Sequence, residues 1–419
     1  MFGTIQFNKL DDITIVTRRN FTLGLVFTLT SCGGSDSTTS NPQSPPVVAT
    51  PPKPVLNVQS TPIATFVSPW SMAFLPDTRL LVTTRAAADY NPGQMLLVAP
   101  DGSSTLPISG LPKNGGVLDV ILHPNYGRSR TIYFSYVEQA DPNAPRIGRN
   151  AADTTVAPYG LAVATGDLFE DGSGNAQLLN VKTIWRQTKI VSNPGSGEFG
   201  GRLTVSPDKR YLFIAAGDRQ EFGPVQDLSN SLGKMIRLYV DGTIPSDNPF
   251  VTTPNALPEI WTLGHRNPYG LAFNSAGQLW EDENGPKGGD ELNLIKPGLN
   301  YGWPNVSYGD NYDGSLIPKP APGDGYEPAV VWWTPAIAPS GLIFYNGSVF
   351  GDWQGDAIIS GLNGMCLVRV RFTGSTAAEV QRIPMGARIR AVQEAADGSI
   401  WVLEDGAQAR LLKLLPVFA

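Results

Sequence analysis

The chain has 419 residues, a formal net charge of −6, 45 glycines and 36 prolines. That length can bury a substantial core in one large domain or two modest ones, and the density of Gly and Pro favours turns over long helices. The acidic balance leaves no basic surface of the kind a phosphate backbone requires, which argues against nucleic acid as a partner.

Taken in order, residues 1–32 read as an export signal. Arg18 and Arg19 precede an apolar run from Phe21 to Leu29 that ends in Leu29-Thr30-Ser31-Cys32, a run too short to span a bilayer as a mature helix. The Cys, followed by Gly33-Gly34-Ser35-Asp36, resembles a bacterial lipobox. That resemblance implies acylation of Cys32 and a lipid anchor on a bacterial membrane, facing the periplasm or cell exterior. The context Thr-Arg-Arg-Asn-Phe also resembles a twin-arginine signal. Residues 33–56, rich in Ser, Thr, Pro and Asn, read as an extended tether. With Cys32 acylated, Cys366 is the one remaining thiol and no disulfide is available.

From residue 57 to 419 one theme recurs: an apolar alternating strand, a turn carrying Pro, Asp or Gly, and a second apolar or aromatic strand. Six copies are visible, at Trp70 to Val82, Val117 to Tyr136, Gly201 to Ala216, Tyr269 to Glu283, Ser340 to Leu362 and Ile389 to Glu404. Strands at blade-length intervals without helical periodicity predict an all-β, six-bladed β-propeller. A pair of β-sandwiches would explain the hairpins but not their sixfold recurrence. A closed ring requires the segment near Ile63 to Phe66 to pair with the C-terminal Leu411 to Val417.

The chemistry-bearing residues concentrate between 259 and 304, where an Arg-Asn-Pro corner precedes one strand and an acidic Gly-Pro corner follows it. Cofactor and metal are expected to meet there. The strings GGVLDVILHPNY, FGGRLTVSPD, GHRNPYGLAF, NGPKGGDELNLI and NYGWP, in this order, resemble the soluble aldose and sorbosone dehydrogenases that use pyrroloquinoline quinone (PQQ). The likeness covers nearly all of residues 60 to 415. It implies a six-bladed propeller with PQQ over the central channel, Ca2+ beneath it, a sugar substrate and a separate electron acceptor. The physical needs agree: a tricarboxylate wants planar guanidinium partners, a hard divalent cation wants oxygen ligands, and hydride transfer from an alcohol carbon wants a base near its hydroxyl.

Carried over by resemblance, Arg266 and Asn267 are the quinone-contacting pair, Gly285 and Pro286 supply carbonyls to calcium, and Arg388 and Arg390 meet the quinone carboxylates. Asp218 and Arg219 form a corner lining the same pocket. Three positions depart from the pattern. Glu198 stands where the family places its catalytic His ahead of Gly-Arg-Leu, Asn114 replaces a quinone-contacting Gln, and Asn363 replaces a quinone-binding Lys. Glu198 is nonetheless an admissible base if desolvation raises its pKa. His123 reads as a turn residue and His265 as a neighbour of the Arg-Asn-Pro corner. The acids Glu281, Asp282, Glu283, Asp290 and Glu291 are expected as polar rims of the channel or as a second calcium site. Trp303, Trp332 and Trp333 could stack on a sugar or fill blade interfaces. The sequence thus reads as a PQQ-dependent sugar dehydrogenase, with two alternatives: a non-catalytic propeller binding a glycan or protein, or a calcium-dependent sugar lactonase.

Overall fold

The computed structural model describes residues 53–85, 93–113, 115–139, 159–189, 191, 197–374 and 376–419. Cys32 and Asn114 lie outside them. Among the described residues the strands form six antiparallel four-stranded blades. Blade 1 comprises Pro69–Phe74, Leu80–Thr84, Met95–Val98 and Thr105–Ser109. Blade 2 comprises Val117–Leu122, Thr131–Gln139, Tyr159–Glu170 and Ala176–Arg186, and blade 3 comprises Gly200–Val205, Tyr211–Ala216, Lys234–Tyr239 and Ile260–Leu263. Blade 4 comprises Pro268–Phe273, Leu279–Glu283, Asp290–Ile295 and Val331–Trp333, and blade 5 comprises Pro339–Phe344, Ala357–Gly361, Cys366–Thr373 and Thr376–Pro384. Blade 6 takes three strands from the C-terminal part, Ile389–Glu394, Ile400–Glu404 and Ala409–Phe418, and its outer strand, Val55–Phe66, from the N-terminal part. A short parallel pairing of Ile108 with Ala176 also joins the outer edges of blades 1 and 2.

The ring closes as the apolar termini require, with Pro62 opposite Leu412 and Phe66 opposite Ala409. Inner strands of successive blades pack side by side, and that of blade 6 meets that of blade 1. Side chains alternate across a strand, so each blade serves two interfaces. On Tyr211–Ala216, Leu212 and Ile214 face blade 2 while Phe213 and Ala215 face blade 4. Six apolar clusters result, one for each blade interface.

Arg202 ties the inner strands together at the axis. Its Nη1 donates to Asp119 Oδ1 at 3.1 Å and Ser71 Oγ at 3.2 Å, its Nε to the Tyr269 carbonyl at 2.8 Å and its Nη2 to the Ser340 carbonyl at 2.6 Å. Its guanidinium also lies over Trp70. Ser340 Oγ carries the chain of bonds on to the Ile389 carbonyl at 2.6 Å. One buried cation, with its carboxylate, thereby links all six blades.

A second regularity positions the site. In every blade the inner strand and its neighbour make a first pair, such as Pro69 with Thr84, Gly200 with Ala216, Pro268 with Glu283 and Ile389 with Glu404, followed at once by a register shift. Six bulges therefore sit at the same end of the blades, where bulges re-aim side chains and end regular pairing. Glu198, Arg219, Arg266, Asn267, Gly285, Pro286, Asn363, Arg388 and Arg390 lie at or beyond this end, whereas His123 follows the other end of its strand.

Candidate active site

Glu198 sits in the turn before the inner strand of blade 3 with a left-handed φ of 55°, and Arg219 and Gln220 share that region at 57° and 60°. Three non-glycine residues held there store strain on the order of 1–3 kcal/mol each. The turns are locked by mutual bonds. The Glu198 carbonyl accepts the Arg219 amide at 3.2 Å, and a Cβ on Gly217 would stand 2.1 Å from that carbonyl, so this close approach requires glycine.

The Glu198 side chain is 13% exposed, and its Oε1 lies 2.6 Å from Nη2 of Arg266. Arg266 is fixed from below: its Nη1 donates to the carbonyls of Asn284 and Gly285 at 3.0 and 2.8 Å, and its own amide donates to Glu283 Oε2 at 2.6 Å. Asn267 spans the same corner. Its Oδ1 accepts the Gly200 amide at 3.2 Å and its Nδ2 donates to Asn284 Oδ1 at 2.9 Å. Asp290 orients the Gly-Pro corner by accepting the Gly285 amide at 2.9 Å and the Ala338 amide at 2.7 Å. Burial pushes its carboxyl up to about 6 despite these two bonds.

Asp218 completes the group. It is fully buried, accepts Trp303 Nε1–H at 2.7 Å and the Gln220 amide at 2.8 Å, and neighbours Glu198. Burial first, and then the charge of Glu198, raise the Asp218 pKa well above the usual carboxylate range. Glu198 Oε2 has no hydrogen-bond partner among the described residues when both groups are counted as acceptors; a proton held on Asp218 supplies one. The two carboxyls thus differ in environment: Asp218 is sealed and raised by burial, whereas Glu198 is paired with Arg266.

Across the ring, at the junction of blades 6 and 1, Arg85, Arg388 and Arg390 converge on Asp405. Their distances to its carboxylate are 2.9, 3.0 and 3.1 Å. Burial works to raise the Asp405 pKa, and Arg390 and Arg85 outweigh it, holding the carboxyl below its ordinary value. Three guanidiniums against one carboxylate leave a surplus of positive charge, and Nη1 of Arg390 and Nε of Arg85 are buried without acceptors. Arg390 also lies over the ring of Tyr269, two residues beyond Asn267.

Other sequence-derived residues are placed differently. Arg219 turns inward, its guanidinium 3.6 Å from the Phe199 ring centroid, donating to the carbonyls of Gly197 and Tyr159 at 3.0 and 2.8 Å. Asn363 is exposed and donates to the Ala336 carbonyl at 3.0 Å. Pro286 is buried beside Gly285, which is half-buried. The acids expected as channel rims are not rims: Glu281, Asp282 and Glu283 are buried because both faces of the second strand of blade 4 are covered by neighbouring blades, and on the third strand Asp290 is buried and Glu291 half-buried. His123 holds its turn by accepting the Asn125 amide at Nδ1. Trp303 reaches the site, Trp333 is buried on Glu379, and exposed Trp332 stacks on Tyr308. Arg85 and Asp405 were missed by sequence reasoning. Both directly follow the second strand of their blades, one residue past Thr84 and Glu404, so aligning the six repeats position by position would have found them.

The residues present suit the groups that the sequence implies. The carbonyls of Asn284 and Gly285 already converge on one cationic nitrogen, an arrangement that serves a hard cation equally well. The orphaned N–H groups and charge surplus around Asp405 suit carboxylates.

A six-bladed propeller carrying an arginine-rich rim opposite an Arg-carboxylate pair defines a class of enzyme-like scaffold, and comparison with known proteins resolves it further. The family model for Glucose / Sorbosone dehydrogenase matches residues 66–413, so the chain belongs to that family. It is 38% identical over 359 residues to the aldose sugar dehydrogenase YliI of Escherichia coli, covering 83% of this chain and 90% of that protein. The apo-form structure of the soluble aldose sugar dehydrogenase from Escherichia coli superposes with a TM-score of 0.76 at 35% identity, over 86% of this chain and all of that one. The PQQ-bound aldose sugar dehydrogenase from Streptomyces coelicolor gives 0.65 at 26% identity, over 86% of this chain and 99% of that one.

Proposed function

We propose that the protein is a PQQ-dependent sugar dehydrogenase that oxidises an aldose or sorbosone-type sugar at its aldehyde or hemiacetal carbon and passes the electrons to a separate acceptor. The observation that carries this reading is the division of labour at one end of the ring. Glu198, paired with Arg266 and beside the buried Asp218, lies across the ring from a cation surplus built from Arg85, Arg388 and Arg390.

When bound, the quinone supplies a hydride acceptor for the sugar carbon. Arg388 and Arg390, with Arg85, would hold its carboxylates, while the carbonyls of Gly285 and Pro286 would hold Ca2+. Arg266 and Asn267 would complete the cofactor cradle, with Arg219 behind it fixing the Glu198 turn. Asn114 and Asn363 are proposed as weaker, uncharged contacts. Glu198 takes the proton of the sugar hydroxyl, and Arg266 keeps the carboxylate aimed through the 2.6 Å pair. Asp218, whose carboxyl pKa is raised by burial and by the neighbouring Glu198, keeps its own proton so that a second negative charge does not stand beside Glu198, and Trp303 fixes its orientation.

We also propose export and lipid anchoring through Cys32, with residues 33–56 as tether. Among the described residues no helix is long and apolar enough to cross a membrane. Replacing Cys32→Ala should release the protein from the membrane fraction; retention would refute the anchor.

The functional test is reconstitution of the purified chain with PQQ and Ca2+, followed by assay with an artificial electron acceptor against a panel of aldoses. Quinone binding with sugar-dependent dye reduction is the expected result. Quinone binding without turnover, or no binding by a folded chain, would overturn it and favour a propeller that binds a glycan or protein.

A further inference from the structure

Behind the Arg266 corner lies a group of side chains that the proposed reaction does not use. Glu281 and Glu283 stand two residues apart on the second strand of blade 4 and so share one face. Asn293 is paired directly opposite Glu281 on the next strand. His265, from the loop before blade 4, completes the group. The side chains of His265 and Glu281 are wholly buried and that of Glu283 is 5% exposed.

The group is rich in acceptors and poor in donors. Asn293 Nδ2 reaches Glu281 Oε1 at 2.9 Å, while Glu281 Oε2, Asn293 Oδ1 and His265 Nδ1 are buried with no hydrogen-bond partner. His265 Nε2 is engaged by Thr262 Oγ1 at 2.8 Å. If it donates there, Nδ1 presents a lone pair to the carboxylates, the usual arrangement of a metal-ligating imidazole. One donor atom from each of His265, Glu281 and Glu283 lies within 4.8 Å of the other two.

The separations decide what fits between them. His265 Nδ1 stands 3.4 Å from Glu281 Oε1 and 3.6 Å from Glu283 Oε1. A charge-assisted N–H···O bond would draw these atoms to about 2.7–2.9 Å. Donors about 2.0–2.2 Å from a tetrahedral ion stand about 3.4 Å apart. We propose that His265, Glu281 and Glu283 bind a first-row divalent cation such as Zn2+ or Mn2+, at a site separate from the Gly285-Pro286 carbonyls. One imidazole with two carboxylates favours such an ion over Ca2+, which prefers an all-oxygen shell. The ion would be structural, because Glu283 Oε2 accepts the Arg266 amide and so couples the site to the catalytic corner. The competing occupant is a proton: burial acts to lower the His265 pKa, but Glu281 and Glu283 outweigh it and lift it to about 9.

The chain has two histidines, so imidazole NMR reads one against the other. The full-length protein is stripped with EDTA, supplied with Ca2+ and titrated with Zn2+, and a His123→Asn variant assigns the signals. One equivalent of Zn2+ should shift the His265 signals and leave those of His123 unchanged, with no such shift from Ca2+ alone. Glu281→Gln, if folded by circular dichroism, should weaken Zn2+ binding at least tenfold. His265 signals that stay those of an imidazolium at stoichiometric Zn2+ would overturn the site, as would a folded Glu281→Gln chain that binds Zn2+ like the wild type. If Glu281→Gln does not fold, the wild-type titration decides alone. None of these readouts depends on quinone binding or turnover.

Discussion

The two sides of the active end differ in sign. At the junction of blades 6 and 1, three arginines share Asp405 and leave buried N–H groups unmet. Between blades 3 and 4, one arginine faces Glu198 and the buried Asp218. A surplus of guanidinium recognises an anion that arrives from outside, whereas a surplus of carboxylate must hold a proton or a cation of its own. In the proposed function the first side binds the cofactor and the second handles the proton, and substitutions should separate them.

The largest effect should come from removing what both sides stand on. Arg202→Met leaves Asp119 buried without its cation and breaks the bonds to Tyr269 and Ser340. A loss of about 3–5 kcal/mol is expected in urea unfolding, damaging binding and turnover together. Next, Arg266→Ala frees Glu198 and the carbonyls of Asn284 and Gly285, and should lower turnover by about 10²–10⁴. On the binding side, Arg390→Ala should weaken PQQ affinity by roughly ten- to a hundredfold, the value of a charge-assisted bond. Arg388, with a side chain 44% exposed, should matter about fivefold or less. Calorimetry with the quinone measures both, and equal effects would erase the distinction between them.

The smallest effect is a pH dependence. A carboxyl whose native pKa is raised binds its proton more tightly folded than unfolded. Its contribution is therefore complete below the unfolded value of about 3.9 and is lost as pH rises toward the native value. Asp218 has such a shift. In the metal-free chain, Asp218→Asn should lose less melting temperature between pH 4 and pH 8 than the wild type does. Parallel profiles would mean that Asp218 does not hold the proton.

Much of this architecture was legible in the sequence because it repeats. Period-two patterning and turn residues recur in every blade, and the apolar ends at Phe66 and Leu411 had no other edge to fill. Glu198 was located through the family resemblance, as the residue standing where that family places its base ahead of Gly-Arg-Leu. The Arg85–Asp405 contact was not legible, since it joins residues 320 apart that meet only when the ring closes. Glu281 and Glu283 were read as rim residues because a dense run of acids reads as solvated surface; here their face is sealed by blade 3. The six bulges leave no composition signal of their own, being set by the geometry of closure.

The most direct test compares quinone binding with turnover in Glu198→Gln. The account predicts PQQ affinity within a few-fold of wild type, because the Asp405 arginines are untouched, and sugar oxidation slower by at least about a hundredfold. Turnover equal to wild type would contradict it, since the proton would then be leaving by another route.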